Sequence, residues 1–134
     1  MMDTKNVPFG WATAYGNSDV GTGLEQPLTG WFKCGEYSNA RATIEFRGAT
    51  HADLEVRVSL QFADYPDQDT MTIKPLGGYV SADGITYPSQ WELIENESKA
   101  NQICRVIAEG KLKDATPGGL QCARISGRVE LNTC

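Results

Sequence analysis

The segment at residues 53–63 constrains the fold most, because apolar and polar side chains alternate along its whole length. Every second position is apolar: Leu54, Val56, Val58, Leu60 and Phe62. Successive side chains of a β-strand point to opposite faces, so this period predicts a strand with one buried face and one solvated face. Antiparallel sheets with one wet side have this pattern.

Three further segments alternate in the same way, at residues 41–48, 102–112 and 120–131. Segment 102–112 carries apolar groups on both faces, which predicts a central strand that is covered on both sides. Short connections at 49–52 and 113–119 predict two hairpins. One would join 41–48 to 53–63, and the other would join 102–112 to 120–131.

The number and spacing of such segments predict an all-β fold. We count roughly seven to nine strands, with turn signals about every 8–12 residues, which is typical of sandwiches and barrels. The chain has 134 residues, a length that suits one domain. We therefore predict a two-sheet antiparallel β-sandwich of the jelly-roll type.

Residues 1–27 differ from the rest of the chain because glycine and proline interrupt them repeatedly. Gly10, Gly16, Gly21 and Gly23 exclude a persistent helix in this region. We predict an extended N-terminal arm over residues 1–27, with one short strand at 9–13. The β-sandwich domain would then occupy residues 28–134.

Composition and charge exclude several classes of function. The net charge is −5 and the basic residues are scattered along strands, so the sequence predicts no nucleic-acid partner. The apolar runs are far shorter than the roughly 18 residues that a membrane span needs. The first ten residues lack the apolar segment of a signal peptide, so we expect synthesis in a cytoplasm.

The four cysteines, Cys34, Cys104, Cys122 and Cys134, form no C-x-x-C pair. This spacing argues against a zinc ribbon and a thioredoxin-like motif. In the predicted second hairpin, Cys104 and Cys122 could face each other. For cytoplasmic synthesis we favour reduced, buried thiols.

The sequence predicts that the protein is not an enzyme and binds no cofactor. His51 is the single histidine, and it lies in a predicted turn without a nucleophile motif nearby. Asp64, Asp67 and Asp69 are the best calcium candidates, but they lack the spacing of the twelve-residue calcium loop. Turn chemistry around Pro66 explains these aspartates without a metal, so we predict no metal site.

The aromatic residues allow two interpretations. Exposed rings such as Trp31 and Trp91 could stack on sugars, as in carbohydrate-binding jelly rolls. Alternatively, the Trp and Tyr rings cap the open ends of the sandwich.

Residues 41–64, followed by LGGYVSADGITYP at 76–88 and SQWELI at 89–94, resemble small jelly-roll structural proteins of tailed-phage virions, among them capsid decoration, or cement, proteins. The resemblance implies a non-enzymatic virion protein that contacts the major capsid protein or other virion subunits. It also implies a homo-oligomer, with a trimer as one candidate, and localisation in the virion after synthesis in the host cytoplasm.

In that interpretation the arm supplies contacts to partners through Phe9, Trp11 and Tyr15, and it orders on docking. The alternative is that the arm packs on its own sandwich. For function, the alternatives are a carbohydrate-binding β-sandwich module that uses exposed Trp and Tyr, and another subunit of an extracellular or phage-tail assembly.

Overall fold

The structure, a computed structural model, describes residues 4–17, 24–66, 72–82, 87–88, 90–94, 103–112 and 120–133. These residues form eleven strands and no helix, which confirms the all-β prediction. Within these ranges nothing helical is long and apolar enough to cross a lipid bilayer. The strands are β1 (Thr4–Asn17), β2 (Leu24–Pro27), β3 (Phe32–Lys33), β4 (Asn39–Arg47), β5 (Leu54–Ala63), β6 (Thr72–Pro75), β7 (Val80–Ser81), β8 (Tyr87–Pro88), β9 (Glu92–Leu93), β10 (Ile103–Leu112) and β11 (Gln121–Asn132).

Ten of these strands hydrogen-bond into one continuous sheet. The main path runs β6-β5-β10-β1-β11-β4-β8, while β3 pairs with β10, β7 with β5 and β9 with β4. We call the part built around β5 and β10 the β5–β10 half, and the part built around β1, β11 and β4 the β4–β11 half. Both halves contribute side chains to one core cluster, so the single sheet is curled around it.

The two halves join where β1 passes from one neighbour to the other. β1 is antiparallel to β11 along most of its length, and at Gly16 and Asn17 it runs parallel to β10. A Cβ atom on Gly16 would lie 2.6 Å from the Lys111 backbone nitrogen, and one on Gly110 would collide with the Tyr15 carbonyl oxygen. Glycine at both positions therefore permits the close backbone approach that closes this corner.

The core lies between the halves and is built from the alternating side chains that the sequence pattern singles out. Phe46 of β4 and Phe62 of β5 belong to one cluster of buried residues. Burial of each such ring contributes about 1.5–3 kcal/mol. The predicted strands at 41–48, 53–63, 102–112 and 120–131 are confirmed as β4, β5, β10 and β11. β10 is the covered central strand that the two-faced pattern predicted.

The prediction of an irregular arm over residues 1–27 is wrong for Thr4–Asn17. These residues form β1, the middle strand of the sheet, in place of the short strand expected at 9–13. Val7, Phe9 and Ala14 on β1 are buried in the core. The register between β1 and β11 shifts between Phe9 and Ala12, so a bulge lies inside the segment predicted as a short strand.

Both predicted hairpins are also wrong. β4 and β5 lie in opposite halves of the sheet, and β10 and β11 lie on either side of β1. β4 pairs with β11, and β5 pairs with β10. β1 lies between β10 and β11, so Cys104 and Cys122 do not face each other across a hairpin. By the strand that each one pairs with, the chain passes from one half to the other after β3, β4, β7, β9 and β10.

Candidate interaction surface

The outer face of the β4–β11 half concentrates positive charge. Alternation on β4 and β11 places four of the six arginines of the chain on this face, against the two glutamates Glu45 and Glu130. The arginines are Arg41, Arg47, Arg124 and Arg128. We call this surface the arginine face. It carries a formal charge of +2 on a chain whose net charge is −5.

Glu130 neutralises one part of the arginine face. Its carboxylate lies 3.2 Å from Arg41 Nε and 3.5 Å from Arg128 Nε. Arg41 and Glu130 are direct neighbours on β4 and β11, so this contact is a cross-strand pair of opposite charges. The guanidinium of Arg41 also stacks on Trp91, with 4.7 Å between its central carbon and the ring centroid.

The opposite end of the face holds a different arrangement. Arg47 and Arg124 are direct neighbours in the β4–β11 register, so two like charges face each other. The Trp11 ring binds both, at 4.5 Å from Arg47 and 5.9 Å from Arg124. Arg47 also has a contact of 3.7 Å with Glu45. Within the part of the chain that the structure describes, Arg124 has no carboxylate partner.

A shallow recess of about 460 Å³ lies beside this cluster. The β1 bulge opens it, and Trp11, Thr43, Ser126 and Arg128 contribute side chains to its wall. Gly127 lies at its base with φ of 155°, where a Cβ atom would collide with the Thr43 carbonyl oxygen. The close approach of β4 and β11 at this point therefore requires glycine.

The residues predicted to bind partners divide between two sides of β1. Phe9 is 5% exposed and belongs to the core, so its prediction as an anchor for a partner is wrong. Trp11 and Tyr15 are 36% and 37% exposed and lie on the arginine face. The arginines around Trp11 were missed, because their convergence depends on the pairing of β1, β11 and β4.

The remaining predicted candidates do not form a site among the described residues. Asp64 is exposed at the end of β5, whereas Asp67 and Asp69 lie outside the described ranges. Within those ranges no three His, Cys, Asp or Glu side chains are grouped as metal ligands. His51 is half-buried in its turn, and its Nδ1 accepts a hydrogen bond of 3.0 Å from the Asp53 amide.

The two other tryptophans are also covered by arginine. The Arg105 guanidinium lies 4.6 Å from the centroid of the half-buried Trp31 ring. Trp91, which is 41% exposed, carries Arg41 over its ring. Stacking of this kind contributes about 0.5–1 kcal/mol at an exposed site. One face of each ring is therefore occupied within the protein.

The outer face of the β5–β10 half holds a buried polar network that the sequence pattern did not reveal. Glu109, 4% exposed, accepts hydrogen bonds of 3.1 and 2.8 Å from Arg57 and a short one from Ser59. The hydrogen bond to Glu109 raises the pKa of Arg57 above its usual range. Tyr79 lies over Arg57 at 4.6 Å. No buried polar side-chain atom of the described residues lacks a hydrogen-bond partner, which includes the carboxylate of Glu109.

Cys34 and Cys104 are buried free thiols in the core. Burial raises the pKa of Cys104, and a hydrogen bond with Cys34 raises it further. A protonated buried thiol is a poor nucleophile and a poor metal ligand. Cys122 is half-buried on the outer side of β11.

Comparisons with known proteins identify the fold. Neither a protein-family model nor a curated protein matches the chain. A structure of infectious bursal disease virus, Gt strain, matches with a TM-score of 0.68 at 9% identity, covering 98% of this chain and 33% of that chain. The VP2 subviral particle of the same virus matches with a TM-score of 0.62 at 8% identity, covering 98% and 33%.

T=1 particles derived from a mutant VP2 protein of this virus also match, with a TM-score of 0.62 at 8% identity and coverage of 98% and 31%. These neighbours are viral capsid proteins of the jelly-roll type. This chain spans about a third of their length. At such low identity the likeness establishes a shared fold, and it confirms the jelly-roll prediction.

Proposed function

We propose that this protein is a non-enzymatic structural subunit of a virus particle. The observation that carries the proposal is the fold, because 98% of the chain superposes on viral capsid proteins with a TM-score of 0.68. The two neighbours named for VP2 are described as a subviral particle and as T=1 particles. A body of this kind acts through protein–protein contacts, for which the arginine face offers exposed charge and aromatic rings.

The test is whether the purified chain assembles. Its absolute mass would be measured by light scattering after size exclusion, in the presence of reductant, over a range of concentrations. We expect assemblies well above the monomer mass of 14.6 kDa, visible as regular particles or rings by negative-stain electron microscopy. A strict monomer at every concentration would contradict the proposal.

A narrower form of the proposal is that the chain decorates the capsid of a tailed phage. The resemblance of residues 41–64 and 76–94 to decoration proteins supports it, as do the exposed rings of Trp11 and Tyr15. The major capsid protein would then be the partner, and a symmetric trimer the form that docks. Co-sedimentation of the chain with phage capsids that lack a decoration protein tests this narrower proposal. Recovery of all of the chain in the supernatant would contradict the proposal.

Carbohydrate binding through Trp91 is a second candidate function. It is 41% exposed, and the ring face opposite Arg41 is the one that a sugar would contact. A glycan array with the wild type, Trp91→Ala and Tyr65→Ala separates the two functions, since Tyr65 is 59% exposed and serves as the control. Glycan retention lost in Trp91→Ala alone would support this candidate, and no retention by the wild type would exclude it.

A further inference from the structure

We propose that Arg47, Trp11 and Arg124, together with the neighbouring Tyr15, form a contact site for the acidic surface of a second copy of this chain. We call these four residues the Arg–Trp cluster. The inference rests on the proposed assembly function and names the partner and the residues of one contact. It starts from two like charges that, among the described residues, have only one carboxylate contact between them, the 3.7 Å contact of Arg47 with Glu45.

The register of β4 and β11 places the two arginines directly opposite each other. Like charges at such positions destabilise a sheet, whereas opposite charges stabilise it. The same two strands carry the favourable pair Arg41 and Glu130 six residues further along, so the geometry readily accommodates an acid. An incoming carboxylate between Arg47 and Arg124 would remove the repulsion.

Trp11 holds the two guanidinium groups in place. The planar guanidinium of Arg47 stacks on the ring, which leaves its N–H groups directed to the edge of the stack. The Arg47 side chain is 68% exposed and its contact with Glu45 is long at 3.7 Å, so hydrogen-bond donors remain available. An arginine fixed in this way loses less side-chain entropy when it binds a carboxylate.

The composition of the cluster favours a protein partner. Trp, Tyr and Arg are the residues enriched at the energetic centres of protein interfaces. Trp11 and Tyr15 lie on the same face of β1 and each is more than a third exposed. A site for small anions alone would not require two exposed aromatic rings.

Charge complementarity points to a second copy as that protein. Removing the two positive charges of Arg47 and Arg124 from the net charge of −5 leaves −7 on the rest of the chain. The rest of the same chain therefore carries the excess of negative charge that this site would attract. Because the site and the acidic surface differ, the contact is heterologous, and contacts of this type close into rings or extend into lattices.

The experiment compares self-association of four forms of the full-length chain by sedimentation velocity at about 0.05 M and 0.5 M salt, where screening lengths differ roughly threefold. Three of them are the wild type, Arg47→Gln/Arg124→Gln, and the control Lys33→Gln/Lys74→Gln, which loses the same charge away from the arginine face. A fourth form, Arg47→Lys/Arg124→Lys, keeps the charge but loses the planar fork. Thermal unfolding verifies that each variant is folded.

We expect the wild type to associate more tightly at low salt. The double glutamine variant should associate at least about tenfold more weakly than the wild type. The lysine variant should be intermediate, and the control should match the wild type. Equal association of the wild type and the glutamine variant would overturn the inference and leave the proposed assembly function standing. A wild type that stays monomeric would overturn both. If the wild type is monomeric but binds a sulfated polysaccharide, and the glutamine variant does not, the partner of the cluster is a polyanion and not a second copy of the chain.

Discussion

The position of β1 in the middle of the sheet predicts a large effect for Phe9→Ala. Phe9 is 5% exposed and belongs to the core cluster, so truncation removes most of a buried ring and leaves a cavity. Changes of this type destabilise by about 3–5 kcal/mol, against a total stability of about 5–15 kcal/mol for a domain. With a urea dependence of about 2 kcal/mol per molar, the unfolding midpoint falls by about 1.5–2.5 M.

Trp11→Ala is the matched control, because Trp11 lies on the same strand but on the outer face. The substitution removes a partly exposed ring and its stacking with Arg47, so the free energy of unfolding should fall by about 1 kcal/mol. Both variants would be measured by urea denaturation followed by circular dichroism. If Phe9→Ala changed the free energy of unfolding by less than about 1 kcal/mol, β1 would not be integral to the core, and the arm interpretation would return.

The remaining predictions concern stability and thiol reactivity. Glu109→Gln leaves Arg57 without its charge partner, so we expect the free energy of unfolding, measured with urea, to fall by about 3 kcal/mol. This value is at the lower end for a buried pair because the Arg57 side chain is 25% exposed. Folding raises the pKa of Cys104, so the folded chain keeps a proton that the unfolded chain releases above pH about 8.5. The free energy of unfolding should then fall by about 1.4 kcal/mol per pH unit for this thiol, and the fall should be smaller in Cys104→Ala. A maleimide should label Cys122 in the native protein, with Cys34 and Cys104 labelled after denaturation; rapid native labelling of Cys104 would refute its burial.

Local patterns were sufficient to predict four of the long strands, but not β1. The alternation at 53–63 corresponds to β5 because a period of two reflects the geometry of the strand itself, and the same holds for β4, β10 and β11. The two-faced pattern of 102–112 predicted a covered strand because burial on both sides leaves no solvated face. These features depend on residues that are close in sequence.

Strand pairing was not predictable from the same signals. The hairpin interpretation assumed that consecutive strands are neighbours, and the jelly-roll connections place β4 beside β11 and β5 beside β10 instead. Gly16 indicated a break in the local pattern. In the fold it permits the close approach to Gly110 on a strand that is more than 90 residues away in sequence. Such a role depends on the partner strand.

The candidate surface was predictable in part. The sequence analysis names Trp11 and Tyr15 as partner contacts of the N-terminal arm, and in the structure they are exposed on the arginine face. Arg47 and Arg124 could not be connected with them, because the three strands that carry the cluster are far apart in sequence. Phe9 was grouped with Trp11 because the bulge between Phe9 and Ala12, which changes the face that β1 presents, is invisible in the sequence.

The most direct test of the account is the absolute mass of the full-length chain in solution, measured by light scattering with and without reductant. The account predicts an assembly of defined stoichiometry, larger than 14.6 kDa, that reductant leaves intact because non-covalent contacts hold it together. A single species at the monomer mass at every concentration, or a dimer that reductant converts entirely to monomer, would contradict it.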